Sequence, residues 1–362
     1  VSRKKRPARL FFIAVLIILI YFVLFPYPLG KEMVAKPAWV VNIAPTTDAG
    51  QPTAPAAADI PSAPFRLGAS FGFVSSRGDL LHTESVLYQV ALSSQNFVSF
   101  TRLGTDWILQ DQTGARISSF SGHGYPLLSS EGSRVFNVKS DLAGIVELNS
   151  SGETLWSRDF SGFMTSVSIN RDFLAVGLVN GTLLLLNREG FPIMESKPSG
   201  SRISVIFADA VSPDGSMVAA ISGIDPQYLN VLRQNGSVPE VMAKLALPAT
   251  FRREVRMSFS PDGRYLAFEG DGQVGIFDPS RRSVSWLSAR GILAGIGYGQ
   301  AGRYLGLISR AGGDVELSVT RPFAQPVAHA VFPAKDLYLG SIDGGLLLGW
   351  DGQLMRLDVE EL

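Results

Sequence analysis

The chain of 362 residues has no cysteine and only three histidines, His82, His123 and His329. Without thiols there are no disulfides, no thiolate zinc sites and no cysteine nucleophiles, and the composition suits an oxidising compartment. The three histidines lie far apart with neither H-x-H nor H-E-x-x-H spacing, so no metal site is expected and isolated loop or strand roles are. Charged residues make up only 18% of the chain, and they balance to a formal net charge of zero. Five of the basic residues, Arg3, Lys4, Lys5, Arg6 and Arg9, precede the first apolar segment, leaving 27 basic against 32 acidic residues elsewhere. Beyond residue 9 the adjacent basic pairs are Arg252-Arg253 and Arg281-Arg282. That is too little to neutralise a phosphate backbone, so nucleic acid is not an expected partner. No G-x-S-x-G elbow, Walker loop, dinucleotide fingerprint or EF-hand pattern stands in a suitable context, and no catalytic residue is assigned.

One long apolar run is present. Residues 10–25 read LFFIAVLIILIYFVLF without a polar face, and the run reaches residue 29 if Pro26 and Pro28 lie at an interface. This approaches the ~20 residues that a helix needs to cross a bilayer core. The preceding basic cluster predicts a cytoplasmic N-terminus and an exported remainder. A cleaved signal peptide has a similar charge pattern, but this run exceeds the usual h-region and no small-x-small site follows it directly. Tyr21, Phe22, Phe25 and Tyr27 suit an interfacial anchor. The expected layout is a basic cytoplasmic tail (1–9), a transmembrane signal anchor (10–29), a Pro/Ala-rich linker (30–64) and one extracytoplasmic domain (65–362). In a bacterium this is a single-pass inner-membrane protein with a periplasmic domain. Prolines 37, 45, 52, 55, 61 and 64 make the linker a semi-rigid spacer.

From about residue 67 onward a unit of four short strands recurs. It is clearest at VRMSFSPDGRYLAFEGDGQVGIFDPSRRSVSWLS, residues 255–288. Pro213-Asp214-Gly215 and Pro261-Asp262-Gly263 close turns between first and second strands, and Gly272 closes a second-to-third-strand hairpin. Proline presets φ there, aspartate bonds the backbone, and glycine accepts positive φ. First-strand centres near residues 90, 127, 167, 209, 258, 295 and 330 are spaced by 35 to 49 residues, close to the ~40–50 of a propeller blade. The expectation is an all-β, about seven-bladed β-propeller of four-stranded antiparallel blades after one transmembrane helix. The hairpin of residues 71–83 is expected either to join the C-terminal unit and close the ring or to belong to an eighth blade. Arg77-Gly78-Asp79 spells an adhesion tripeptide, but Gly78 occupies the same hairpin position as Gly181, Gly272 and Gly344, and turn chemistry accounts for it.

The Ser-Pro-Asp-Gly turns at 212–215 and 260–263 resemble those of WD40-like and TolB-like propellers. VELNSSGETLWSRD (146–159) and IFDPSRRSVSWLS (276–288) resemble the repeat of PQQ-like propellers, the group that includes the outer-membrane assembly lipoprotein BamB. The chain departs from WD40 proper, with single Gly122-His123 and Trp350-Asp351 dipeptides in place of recurring signatures. Quinoprotein dehydrogenases seat their cofactor on a vicinal disulfide that a cysteine-free chain lacks, so no cofactor is expected. A rigid ring with many exposed loops, a membrane tether, a spacer and no catalytic constellation lead to the expectation of a non-enzymatic interaction platform for another envelope protein. A hydrolase or carbohydrate/small-molecule binder with a site at the central channel is the alternative. Ligand-face candidates are His123, Asp209 and Glu254, whereas Asp214 and Asp262 are expected to serve their turns.

Overall fold

The computed structural model describes residues 33–43, 60–101, 105–236, 238–323 and 326–361, with Val15, Leu16, Ile18 and Tyr21 of the N-terminal run. These four are helical, while the rest of the expected span at 10–29 lies outside the described residues. Among the described residues no helix is long and apolar enough to cross a membrane.

Among the described residues eight antiparallel sheets follow one another, so the expected seven blades become eight. Numbered by position, blade 1 has three strands, Ser62–Leu67, Ser70–Ser75 and Leu80–Ser85. The hairpin at 71–83 is therefore part of a blade of its own. The innermost strands of blades 2 to 8 are Gln89–Leu92, Tyr125–Leu128, Met164–Ile169, Ile203–Val211, Met257–Phe259, Ile292–Gly299 and Leu337–Ile342. Six of these coincide with the expected first strands. The seventh, expected near residue 330, falls in Pro326–Pro333, which is the outermost strand of blade 7.

The core is divided. Among the described residues eight apolar clusters occur, one between each neighbouring pair of blades, as with Phe65, Leu67 and Val74 of blade 1 against Ile342, Leu347 and Leu354 of blade 8. This distribution closes the ring: a sheet buried on both faces needs a neighbour on each, and radial stacking supplies both. It also explains the unbroken apolar middle strands, such as the wholly buried Leu183–Leu186.

The turns repeat a device that the sequence carries. Ser93, Ser129, Ser212 and Ser260 are buried at the ends of the innermost strands of blades 2, 3, 5 and 6. Each hydroxyl accepts a backbone N–H from across its own turn, at 2.8 to 3.2 Å, from Asn96, Arg134, Met217 and Tyr265 respectively. Gly215 and Gly263 sit at φ +68° and +69°, and Gly272 at +65°, a region that side-chain-bearing residues rarely adopt.

The expected 30–64 linker needs the largest correction. Met33–Asn42 is a strand that pairs with Gln353–Glu361 and forms the outer edge of blade 8. Pro37 is tolerated because it lies on an edge strand, beside a register shift. Trp39 joins the cluster between blades 8 and 1, and its indole N–H donates to the Ser76 carbonyl at 2.9 Å. Its ring packs against Gly78, so the tripeptide at 77–79 forms a turn beside the closing strand. Replacing Trp39 with alanine is expected to cost about 2 kcal/mol, below the 3–5 of a fully buried aromatic because the ring is half-buried. Chemical denaturation would read this directly.

Candidate functional site

The innermost strands of blades 4, 5 and 7 and the segment leading into that of blade 6 surround a cavity of about 280 Å³. Ser166 and Ser168 come from blade 4, Ala208 and Asp209 from blade 5, and Ile296 from blade 7; the blade 6 side contributes 254–258. Two of the three ligand-face candidates, Asp209 and Glu254, thus meet in one site. His123 does not join them: it is exposed on the connection from blade 2 to blade 3.

Asp209 is the unusual group. Its side chain enters the interface between blades 4 and 5, where Gly177 leaves room. A Cβ at position 177 would stand 2.3 Å from Ser166 Oγ and 2.4 Å from Ile206 Cγ2. The residue is 7% exposed, and neither carboxyl oxygen has a hydrogen-bond partner among the described residues; nor has Ser166 Oγ. Burial pushes the Asp209 pKa up to about 8. Ser166 and the Gly177 backbone pull it down, without reaching hydrogen-bonding geometry, and the nearby Glu254 pushes it further up. At neutral pH the carboxyl is therefore mostly protonated, as expected for an acid buried without a compensating charge.

Glu254 and Arg256 are placed by a buried carboxylate behind them. Glu269, 1% exposed, accepts from both Arg253 terminal nitrogens at 3.0 and 2.6 Å, from the Arg256 backbone at 3.3 Å and from the Leu293 backbone at 3.1 Å. The connection 253–256 is thereby tied to blades 6 and 7. Arg256 also lines a neighbouring cavity of about 640 Å³ with Arg66, Arg310 and Lys335 against the single acid Asp336. The two cavities share Arg256.

The two turn aspartates behave as turn residues. Asp214 Oδ1 accepts from the Ser212 and Ser216 hydroxyls and the Ser216 N–H; burial raises its pKa, but these bonds outweigh that and hold it below the usual value. Asp262 Oδ1 accepts from Ser260 Oγ at 2.6 Å and from the Arg264 N–H at 3.1 Å. Both lie at the opposite end of the ring from the connection that carries Glu254. His82 is buried against Phe97 and bonds Glu84, while His329 bonds Glu316 on the outer part of blade 7. Among the described residues no three His, Asp or Glu side chains stand together as metal ligands.

A second feature lies on the ring face that bears the blade-to-blade connections. Leu142, Phe163, Val179 and Ile203 are 41%, 59%, 43% and 45% exposed. They form a row across blades 3, 4 and 5: Met164 N–H donates to the Leu142 carbonyl, Val179 N–H to the Phe163 carbonyl, and Gly181 packs on Ser204. Leu142 holds φ +59°, uncommon for a large side chain. Nothing in the sequence marks this row, because its members come from three separate inter-strand segments and the start of one strand.

A ring of antiparallel blades, seven of them four-stranded among the described residues, defines a β-propeller, and the chain belongs to that family: a family model described as beta-propeller protein matches residues 1–362. In fold it is BamB-like, similar to BamB from Moraxella catarrhalis (TM-score 0.59, 17% identity, 90% of this chain and 100% of that one). It is also similar to the Cps50 (Swd1) β-propeller domain of Myceliophteria thermophila (TM-score 0.50, 12% identity, 75% and 95% of the two chains). An uncharacterized protein of Treponema pallidum (strain Nichols) is 20% identical over 364 residues, covering 98% of this chain and 95% of the relative.

Proposed function

We propose that the chain is a non-enzymatic protein–protein interaction platform, a propeller tethered to the inner membrane on its extracytoplasmic side and working with another envelope protein. The observation that carries this reading is the apolar row Leu142, Phe163, Val179 and Ile203 on one face of a rigid ring. Contiguous exposed apolar groups, one of them held in a strained backbone, favour a docking surface over a solvated one. The BamB-like fold and the resemblance to PQQ-like propellers, which include an outer-membrane assembly lipoprotein, support a role in envelope assembly.

The tether has a geometric corollary. Only residues 30–32 separate the apolar run from the closing strand that begins at Met33. An anchor at 10–29 would therefore hold blade 8 beside the bilayer, and residues 44–59 would join blade 8 to blade 1 instead of spacing the ring from the membrane.

The test is affinity purification of a tagged full chain after crosslinking in native membranes. Phe163→Glu combined with Val179→Asp is expected to reduce a stoichiometric partner by at least tenfold, the scale of an interface hot spot, at unchanged melting temperature. Retention of that partner by the doubly substituted chain would reject the docking face.

A further inference from the structure

We propose that the cavity of about 640 Å³ between blades 1, 7 and 8 receives an acidic segment of the protein partner, whose carboxylates pair with Arg66, Arg256 and Lys335; this rests on the platform reading and names the chemistry of its partner. Arg66 comes from blade 1, Arg256 from the segment leading into blade 6, Arg310 from blade 7 and Lys335 from the connection into blade 8, with Asp336 as the single acid in the lining. Among the described residues none of the four cationic side chains forms an ion pair. Arg66, Arg256 and Lys335 are exposed, and Arg256 gives its Nε to the Leu293 carbonyl at 3.1 Å, which leaves its terminal nitrogens open to a carboxylate. Like charges gathered without counter-charges repel one another, and an anionic ligand relieves that repulsion. The gathering is local, because outside the N-terminal cluster the chain has 27 basic against 32 acidic residues.

The connection that carries Lys335 is held in shape from two sides. Arg310 donates from Nη1 to the Ala334 carbonyl at 2.9 Å and from Nη2 to the Lys335 carbonyl at 2.6 Å. Asp351 accepts the backbone N–H of Lys335 at 2.8 Å and of Asp336 at 3.0 Å, and its charge offsets only part of the positive field. A site fixed before its ligand arrives lowers the ordering cost of binding. Ile292, 56% exposed in the same lining, offers an apolar contact beside the charges. Position separates the cavity from lipid headgroups. Asn42 pairs with Gln353, next to the Asp351 turn that bonds Lys335, whereas Met33 pairs with Glu361 at the far end of the same two strands. A strand of 10 residues spans roughly 30 Å at ~3.3 Å per residue. An anchor at 10–29 would join the ring at Met33, so the bilayer and the cavity would lie at opposite ends of blade 8. The cavity instead shares the connection-bearing face with the apolar row, where a protein partner can engage both.

Calorimetric titration of the full chain in detergent with hexaglutamate, hexaglutamine, succinate and inorganic phosphate tests the site. Hexaglutamate is expected to bind, with an affinity that falls as added salt screens the charges. Hexaglutamine is expected not to bind, and succinate and phosphate to bind far more weakly. Arg66→Gln combined with Lys335→Gln should weaken hexaglutamate by about tenfold or more, the scale of a lost charge-assisted hydrogen bond, at unchanged circular dichroism. The same chain should recover less of the crosslinked partner from native membranes. The peptide titrations read the cavity with no partner present, so their failure is distinct from failure of the apolar row, which the Phe163→Glu, Val179→Asp chain reads. No hexaglutamate binding at millimolar concentration, equal binding of hexaglutamine, or succinate or phosphate bound as tightly as hexaglutamate would each overturn the proposal. So would unchanged hexaglutamate affinity, or full recovery of the partner, in the Arg66→Gln, Lys335→Gln chain.

Discussion

Replacing Asp209 with asparagine makes the protein more stable relative to the parent as the pH is raised from 5 to 8. The parent holds a proton on Asp209 that the unfolded chain has already lost, because burial raises the folded pKa to about 8 from the ordinary 3.8. Over that window the native state binds more protons than the unfolded state, so stability falls with rising pH, by about 1.4 kcal/mol per unit at most. The fall ends once the pH passes 8 and both states are ionised. Asparagine is nearly isosteric with the protonated acid and does not titrate, so the advantage of the variant grows by up to about 4 kcal/mol between pH 5 and pH 8. Urea unfolding of both proteins across this range checks it, and a difference that stays flat or shrinks with pH would refute the burial of an uncompensated carboxyl. A separate loss of stability at low pH has the opposite sign. Burial raises the pKa of Asp214, Asp278 and Glu316, but hydrogen bonds outweigh it and hold all three below their usual values. Their contributions are complete above about pH 4.5 and disappear as the pH falls through the folded values.

Breaking the Arg134–Glu147 pair is the costliest single change expected elsewhere in the ring. The two side chains are 0% and 4% exposed within blade 3, joined by Nε to Oε1 at 2.9 Å and Nη2 to Oε2 at 2.6 Å. Arg134 also lies over the Phe136 ring at 4.8 Å, while its Nη1 has no hydrogen-bond partner among the described residues. Glu147→Ala leaves a guanidinium buried without its counter-charge, for an expected loss of about 3–5 kcal/mol. Arg134→Met with Glu147→Leu removes both charges and fills similar volume, and should recover most of that loss. The denaturation midpoints of the single and double variants decide the matter. A double variant no more stable than the single one would show that packing, and not the unpaired charge, dominates at this position.

Much of the ring was legible because its turns have local chemistry. Ser-Pro-Asp-Gly and its relatives mark where a first strand ends, and six innermost strands could be located from them. Blade 8 was shifted because PVAHAVFP alternates like an inner strand while belonging to the outer edge of blade 7. The closing strand was hidden by composition: MVAKPAWVVN contains a proline that reads as linker and is harmless only on an edge. A strand pairing across more than 300 residues leaves no periodic trace. The site was half legible. An aspartate inside ISVIFADAV is conspicuous, and Glu254 lies on the connection into the next blade. Ser166, Gly177 and the shared Arg256 become neighbours only when blades stack, and nothing local to their segments signals it. The apolar row escaped notice for the same reason.

The central claim is that one face of the ring docks a protein partner. Its most direct test places a photo-crosslinking residue at position 163, within the row, and separately at position 264, an exposed arginine on the opposite face. Irradiation in native membranes is expected to join position 163 to a single envelope protein and to leave position 264 unlinked. Crosslinks from position 264 alone, or from neither position, would contradict the account.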